Sequence, residues 1–412
     1  MRYGLIGEKL SHSYSKTVHA LLGDDSYELV SLRPEELAGF LRSRAFEGLN
    51  VTIPYKKAVI PFCAELSETA RKTGSVNTIA VDAAGRLIGH NTDYAGFLYM
   101  AARAGIGFKG KNVLVLGSGG TGVTAVQAAS DRGAARVTTV SRNGPVHYGN
   151  VHRLSDTEIV VNATPVGMYP EPAAQPLPLA GFPNLEAVID VIYNPLRTRL
   201  LLEAEALGLR RSNGLPMLVA QAKYARDIFT AAPSPDEVIE QAVRRITADT
   251  ANIILIGMPG SGKSAVGREI ARLSGREFID TDALIEAEYG NPPAEIINKS
   301  GEAYFREREA EAVAQAGKEK SRVIATGGGA VLRQENMTAL RQNGFIIYLV
   351  RAAERLARRG RPLSAGPGSL ETLLAERLPL YERYAGARVD NTGGIETVAQ
   401  KALEVFYENI DC

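Results

Sequence analysis

The chain is poor in the raw material of several special-purpose folds. It has two cysteines, Cys63 and Cys412, in 412 residues. These are too few and too far apart for a disulfide framework or a zinc site, which suits a reducing cytoplasm and encodes no metal cage. Charge of one sign is also missing: 47 Lys and Arg stand against 46 Asp and Glu. There is neither the basic field of a nucleic-acid binder nor an acidic tail, so small-molecule partners are expected. No run of 18 apolar residues occurs, and the opening MRYGLIGEKLSHSYSK lacks the charged start and apolar core of a secretion signal. A soluble protein with no membrane partner is expected. No internal repeat or low-complexity tract stands out.

What the chain does have is a steady alternation. Short apolar runs bounded by glycine lead into helical patterns: YGLIG and then a helix, NVLVL and then VTAVQAAS, ILIGM and then SAVGREIARL. This is the rhythm of βαβ units on parallel sheets, so the class is α/β. A chain of 412 residues exceeds one core, since domains run to about 100 to 200 residues. One boundary is expected near residue 100, where AARAGIGFKGK separates two lobes, and another near residue 248. There TAAPSPDEVIEQAVRRITADTAN supplies a proline-containing turn, one amphipathic helix and a polar link over Thr247–Thr250. The expected layout is a substrate lobe over 1–100, a Rossmann lobe over 101–229, a helix and linker over 230–249 and a phosphate-loop domain over 250–412.

Two glycine-rich loops of different kinds mark two nucleotide sites. GSGGTG, with Gly117, Gly119, Gly120 and Gly122, follows the strand NVLVL and opens a helix, the setting of a dinucleotide loop whose amides face a pyrophosphate. After the next strand, RVTTV, an NAD site would place an acidic residue for the ribose, whereas this chain has Ser141 and Arg142. A guanidinium there suits a 2′-phosphate, so NADP(H) is expected. The second loop, GMPGSGKS at Gly257–Ser264, fits the pattern GxxxxGK[ST] and also joins a strand to a helix. Gly257, Gly260, Ser261 and Gly262 would cradle ATP phosphates, with Lys263 on the β- and γ-phosphates and Ser264 on Mg²⁺. Such a loop identifies a nucleotide and leaves the acceptor to be read elsewhere.

Around the first loop lie polar clusters beside apolar strands: HSYS at His12–Ser15, NVTIPYK at Asn50–Lys56, SVNT at Ser75–Thr78 and NTDYAGF at Asn91–Phe97. Hydroxyls and amides gathered in this way suit a polyhydroxylated ligand. In this order, with NATPVGM at Asn162–Met168, YNPLRT at Tyr193–Thr198 and GLPMLVAQA at Gly214–Ala222, residues 1–245 resemble shikimate dehydrogenase. The resemblance implies that Ser13 and Ser15 hold the substrate carboxylate and that Asn77 and Asp93 hold its ring hydroxyls. It also implies that Thr52, Tyr193 and Gln221 complete the pocket, that Gly214 belongs to the cofactor site, and that Lys56 and Asp93 form the catalytic pair. Either member of that pair could exchange the proton given to the developing alkoxide. Lys16 and Pro165 depart from the usual motifs without removing a reacting group.

Behind the second loop come FIDTD at Phe278–Asp282, GEAYFRERE at Gly301–Glu309, ATGGGAV at Ala325–Val331, RRGRPL at Arg358–Leu363 and ERLPLYERYA at Glu376–Ala385. Residues 250–412 thereby resemble shikimate kinase. The resemblance implies Asp282 on the ring hydroxyls, Asp280 assisting the metal's water shell, and Arg306 with Arg377 clamping the carboxylate. Gly327, Gly328 and Gly329 let the backbone approach the substrate, and Arg361 descends from a lid that is several residues shorter than usual. Together the two resemblances imply a bifunctional enzyme that makes shikimate with NADPH and phosphorylates it with Mg-ATP. A quinate or other cyclic polyol dehydrogenase fused to a small-metabolite kinase, or a pair in which one half is a ligand sensor, are the alternatives.

Overall fold

The computed structural model describes residues 2–10, 14–24, 26–356 and 369–410. Its contacts divide the chain into two compact units, one holding the residues up to Tyr193 together with Leu200–Arg245, the other Asn194–Arg199 with the chain from Ile246 onward.

The first unit contains two sheets. The first is built from β1 (Tyr3–Gly7), β2 (Glu28–Ser31), β3 (Gly48–Val51), β4 (Glu65–Leu66), β5 (Thr78–Val81) and β6 (Leu87–His90) in the order β2-β1-β3-β5-β6-β4. It is mixed: β5 runs antiparallel to both β3 and β6, while β1 pairs parallel with β2 and β3. The second sheet, from β7 (Asn112–Leu116), β8 (Arg136–Val140), β9 (Ile159–Asn162), β10 (Ala187–Asp190) and β11 (Arg210–Ser212), is parallel throughout in the order β11-β10-β9-β7-β8. Strands covered on both faces read as unbroken apolar runs, which is why NVLVL and IVVN are legible as strands from sequence.

The second unit is one parallel sheet, from β12 (Asn252–Ile256), β13 (Glu277–Asp280), β14 (Arg322–Ala325), β15 (Gly344–Val350) and β16 (Ala387–Asp390), ordered β13-β14-β12-β15-β16. In both parallel sheets the first strand lies inside the sheet, with later strands on both sides of it, and the chain reverses its winding beside it. The carboxyl ends of the strands next to β7 and β12 are therefore the places where an open α/β sheet leaves a crevice.

The polar stretch Thr247–Thr250 is not an extended link. It is the last turn of the helix Glu237–Thr250, and β12 follows after Ala251 alone. The Thr250 hydroxyl donates to the Ile246 carbonyl at 2.7 Å, and Arg276 donates to the carbonyls of Ala248 and Ala251 at 2.5 and 2.6 Å. Polar residues that look like a tether are held here by local back-bonding and by a guanidinium at a helix carboxyl end.

Candidate active sites

In the first unit a cavity of about 930 Å³ is lined by strands β1 and β3 of the first sheet and by loops and helices that follow the strands of both sheets. The turn after β3 delivers Thr52 and Lys56 to its wall, and the helix Thr92–Arg103 delivers Asp93 in its first turn, capped by the Asn91 side chain accepting from the Tyr94 amide at 3.2 Å. Lys56 Nζ and Asp93 Oδ2 lie 2.6 Å apart with 23 % and 13 % of their side chains exposed. This degree of shelter strengthens the pair while leaving it open to a ligand. Facing them, the helix Leu215–Thr230 carries Gln221. The two helices come close because residue 96 is glycine: a Cβ there would stand 2.8 Å from the Met217 carbonyl oxygen.

Asn77 sits on the floor, 2 % exposed, with its amide oriented by its neighbours. Oδ1 accepts from the Thr92 amide at 2.7 Å and the Thr78 hydroxyl at 3.1 Å, and Nδ2 donates to Thr92 Oγ1 at 3.0 Å and reaches Gln221 Oε1 at 3.4 Å. Both hydrogens of Nδ2 thus have acceptors, the longer bond being the one to Gln221, another residue of the cavity wall. Asn50, which motif reading passed over, also lines the cavity; it accepts from the buried Tyr27 hydroxyl at 2.7 Å and donates to Thr78 Oγ1 at 3.2 Å. Ser15 and Tyr193 belong to the same wall, Tyr193 edge-on to Tyr14 with ring centres 5.6 Å apart. Ser13 lies outside the described residues.

The cofactor loop opens toward the same cavity. Gly119 caps the helix Gly120–Asp131, and a Cβ on Gly122 would overlap the Gly117 carbonyl, whereas Gly119 and Gly120 face open space. Two glycines are thus demanded by packing and two leave room for a phosphate to approach. Thr121 and Gly214 line the cavity itself. Ser141 and Arg142 are not on its wall; they leave β8 beside the loop, the Gly117 amide donating to the Val140 carbonyl at 2.8 Å, with Arg142 exposed.

The second unit encloses about 530 Å³ behind its glycine-rich loop. Gly260, Gly262, Lys263, Ser264, Asp280, Asp282, Arg306, Gly327–Gly329 and Arg377 all border it. Gly257 and Ser261 belong to the loop but do not border the cavity, and Arg361, with the lid segment around it, lies outside the described residues. Buried Lys263 donates to the carbonyls of Gly257 and Met258 at 2.9 and 3.0 Å. The Ser264 hydroxyl donates to Asp280 Oδ2 at 2.6 Å. One hydroxyl and one carboxylate side by side at a phosphate loop fit Mg²⁺, which takes few protein oxygens and completes its shell with phosphates and waters.

Opposite the loop, Gly327–Gly329 are held between two elements. The Gly327 amide donates to Thr281 Oγ1 at 3.1 Å, while the Gly328 carbonyl accepts from Arg377 Nη1 at 3.0 Å and the Tyr381 hydroxyl at 2.6 Å. Side chains are excluded at all three: a Cβ would come within 2.8 Å of Asp282 and Glu309 at Gly327, within 2.6 Å of the Pro259 ring at Gly328, and into the Arg306 guanidinium at Gly329. Arg306 bonds Glu302 and, at 2.8 Å, Glu309, which is 1 % exposed. Glu309 was legible as a partner only through its i, i+3 spacing from Arg306, and Tyr381 through its i, i+4 spacing from Arg377. Burial, then the neighbouring charges of Asp280 and Glu309, pushes the Asp282 carboxyl up to about 6, and its Oδ1 is buried without a partner. An unfilled buried acceptor beside guanidinium groups suits a hydroxylated acid.

The comparisons agree on both halves. The substrate-binding domain of shikimate dehydrogenase matches residues 5–79 and the shikimate kinase family matches residues 259–407. A shikimate dehydrogenase (NADP(+)) of Thermus thermophilus is 36 % identical over 261 residues, 60 % of this chain and 98 % of its own. A shikimate kinase of Symbiobacterium thermophilum is 49 % identical over 168 residues, 38 % of this chain and 97 % of its own. Among solved structures, the shikimate 5-dehydrogenase of Thermus thermophilus in complex with NADP(H) and shikimate is 36 % identical, covers 60 % of this chain and 99 % of that one, and has a TM-score of 0.54.

Proposed function

The chain belongs to the shikimate dehydrogenase family in its first part and to the shikimate kinase family in its last, and from that premise we propose which residues perform its two reactions. It is a bifunctional enzyme of the shikimate pathway: it reduces 3-dehydroshikimate to shikimate with NADPH and phosphorylates shikimate to shikimate 3-phosphate with ATP. NADPH supplies the hydride, and Mg²⁺ offsets the charge on the phosphate oxygens.

In the first cavity Ser13 and Ser15 hold the substrate carboxylate, and Asn77 with Asp93 holds ring hydroxyls. As hydride reaches the ketone carbon, charge develops on its oxygen, and the Lys56 ammonium gives that oxygen a proton while Asp93, 2.6 Å away, keeps the ammonium in place. Arg142 pairs with the 2′-phosphate of the dinucleotide. In the second cavity Arg306 and Arg377 take the carboxylate, and the ionised Asp282 accepts from the attacking hydroxyl, which then bonds the γ-phosphorus as ADP leaves. Lys263 stabilises the transferring phosphate, Arg361 joins it from the lid, and Ser264 with Asp280 serves the metal. Two widely spaced cysteines suit a cytoplasmic location.

The observation that supports this reading is that each unit lines its own cavity with a separate set of cationic, carboxylate and hydrogen-bonding side chains. Purified protein given 3-dehydroshikimate, NADPH and Mg-ATP is expected to consume NADPH and release shikimate 3-phosphate; quinate is expected to be a poor substrate for oxidation. Reduction without phosphorylation, or a preference for quinate, would sink the assignment.

A further inference from the structure

Three guanidinium groups border the cavity of the second unit, and they are not alike. Arg306 is matched by Glu302 and Glu309, and Arg377 donates to the Gly328 carbonyl. Arg351 has no hydrogen bond or ion pair among the described residues, and its Nε is buried without a partner.

Its position follows from strand register. β15 lies next to β12 with Tyr348 opposite Ile256, so the residue just beyond β15 emerges beside the phosphate loop just beyond β12. The approach is close: a Cβ on Gly257 would stand 2.6 Å from the Leu349 carbonyl oxygen, and one on Gly262 would stand 3.5 Å from Arg351 Nη1. The other neighbour is neutral. Asn391, anchored by its amide to the Val350 carbonyl at 2.7 Å, donates from Nδ2 to the Ser261 carbonyl at 2.6 Å.

Gly262 caps the helix Lys263–Ser274. A cation at a helix amino end is repelled by the positive end of the helix dipole, and Arg351 has no carboxylate among the described residues to offset this. The arrangement becomes favourable when an anion lies between the guanidinium and the loop amides. We propose that Arg351 binds a phosphate oxygen of the adenine nucleotide, a second fixed cation beside Lys263 that sets nucleotide affinity. The proposal rests on the kinase reading.

Calorimetric titration of the full chain with Mg-ADP tests it, using R351A and the shape-conserving R351Q. Both variants are expected to bind Mg-ADP at least about tenfold more weakly, the low end for a lost charge-assisted hydrogen bond. KM for ATP should rise in parallel, with KM for shikimate and the rate of NADPH oxidation unchanged; R351K should recover part of the loss. Wild-type affinity in both variants would overturn the proposal, as would an equal loss for adenosine, which would assign Arg351 to the base. A wild-type chain that itself binds no Mg-ADP would overturn the kinase reading and the proposal with it.

Discussion

Asp282 ties the pH behaviour of the second half to its stability. Its carboxyl titrates at about 6 when folded, chiefly through burial, against about 3.9 for an unperturbed aspartate. The folded state therefore holds this proton more tightly than the unfolded chain. Its favourable contribution is complete below about pH 4, is lost as pH rises through about 6, and leaves a cost of a few kcal/mol above that. Only the ionised form can accept from the attacking hydroxyl, so kcat/KM for shikimate is expected to rise through a limb near pH 6. In D282N phosphorylation should collapse at every pH, while thermal melts should show the variant stabilised at pH 8 and little changed at pH 4. A pH profile flat from 5 to 7 would contradict the assignment. Arg142 is a second residue-scale test. Arg142→Ala should weaken NADPH by roughly 1.5 to 3 kcal/mol, the range for a hydrogen bond to a charged group, and leave NADH nearly unchanged; equal losses for both cofactors, read from fluorescence titrations, would refute the pairing.

Elements matter where two of them must meet. Lys56 and Asp93 come from a turn and a helix 37 positions apart, and the helix reaches its place by packing closely on Leu215–Thr230 at Gly96. Motifs named those residues, but nothing in the local pattern says that Gly96 exists to admit a carbonyl. The helix Glu237–Thr250 is the case where local reading went astray: Thr, Ala and Asp at its end have the composition of a linker. The carbonyls of Ala248 and of Ala251 just beyond the helix are satisfied by Arg276, whose guanidinium also lies 5.0 Å from the centre of the Phe406 ring. Arg276→Ala should therefore destabilise this region by at least about 1.5 kcal/mol, the low end for a single lost charged hydrogen bond, measured as an earlier unfolding transition in urea with phosphorylation kinetics intact. An unchanged midpoint would mean that the polar turn is self-sufficient.

At the scale of the whole molecule, each unit has a cavity lined by residues of its own. Lys56→Ala should abolish NADPH oxidation and leave phosphorylation of added shikimate unaltered, and Lys263→Ala should do the reverse. Loss of both activities in either folded variant would show that the reactions depend on each other. The oxygen that becomes a hydroxyl in the first reaction is the one that carries phosphate after the second, so a coupled assay with Lys263→Ala should accumulate shikimate.

The sequence by itself determined the α/β class, both nucleotide loops and most of the polar side chains that line the two cavities. These rest on short-range requirements: apolar runs for buried parallel strands, glycines where backbone meets backbone or phosphate, a lysine at fixed spacing in a loop. Only the tertiary structure decided that Asn77 is held by Thr92 and Gln221, that Arg351 stays unmatched among the described residues, that Tyr381 holds the glycine turn, and that Arg276 closes the helix end at Thr247–Thr250. Each of these depends on a partner far away in the chain, and on whether that partner supplies a hydrogen bond, a charge or only bulk, which spacing along one strand or helix does not encode.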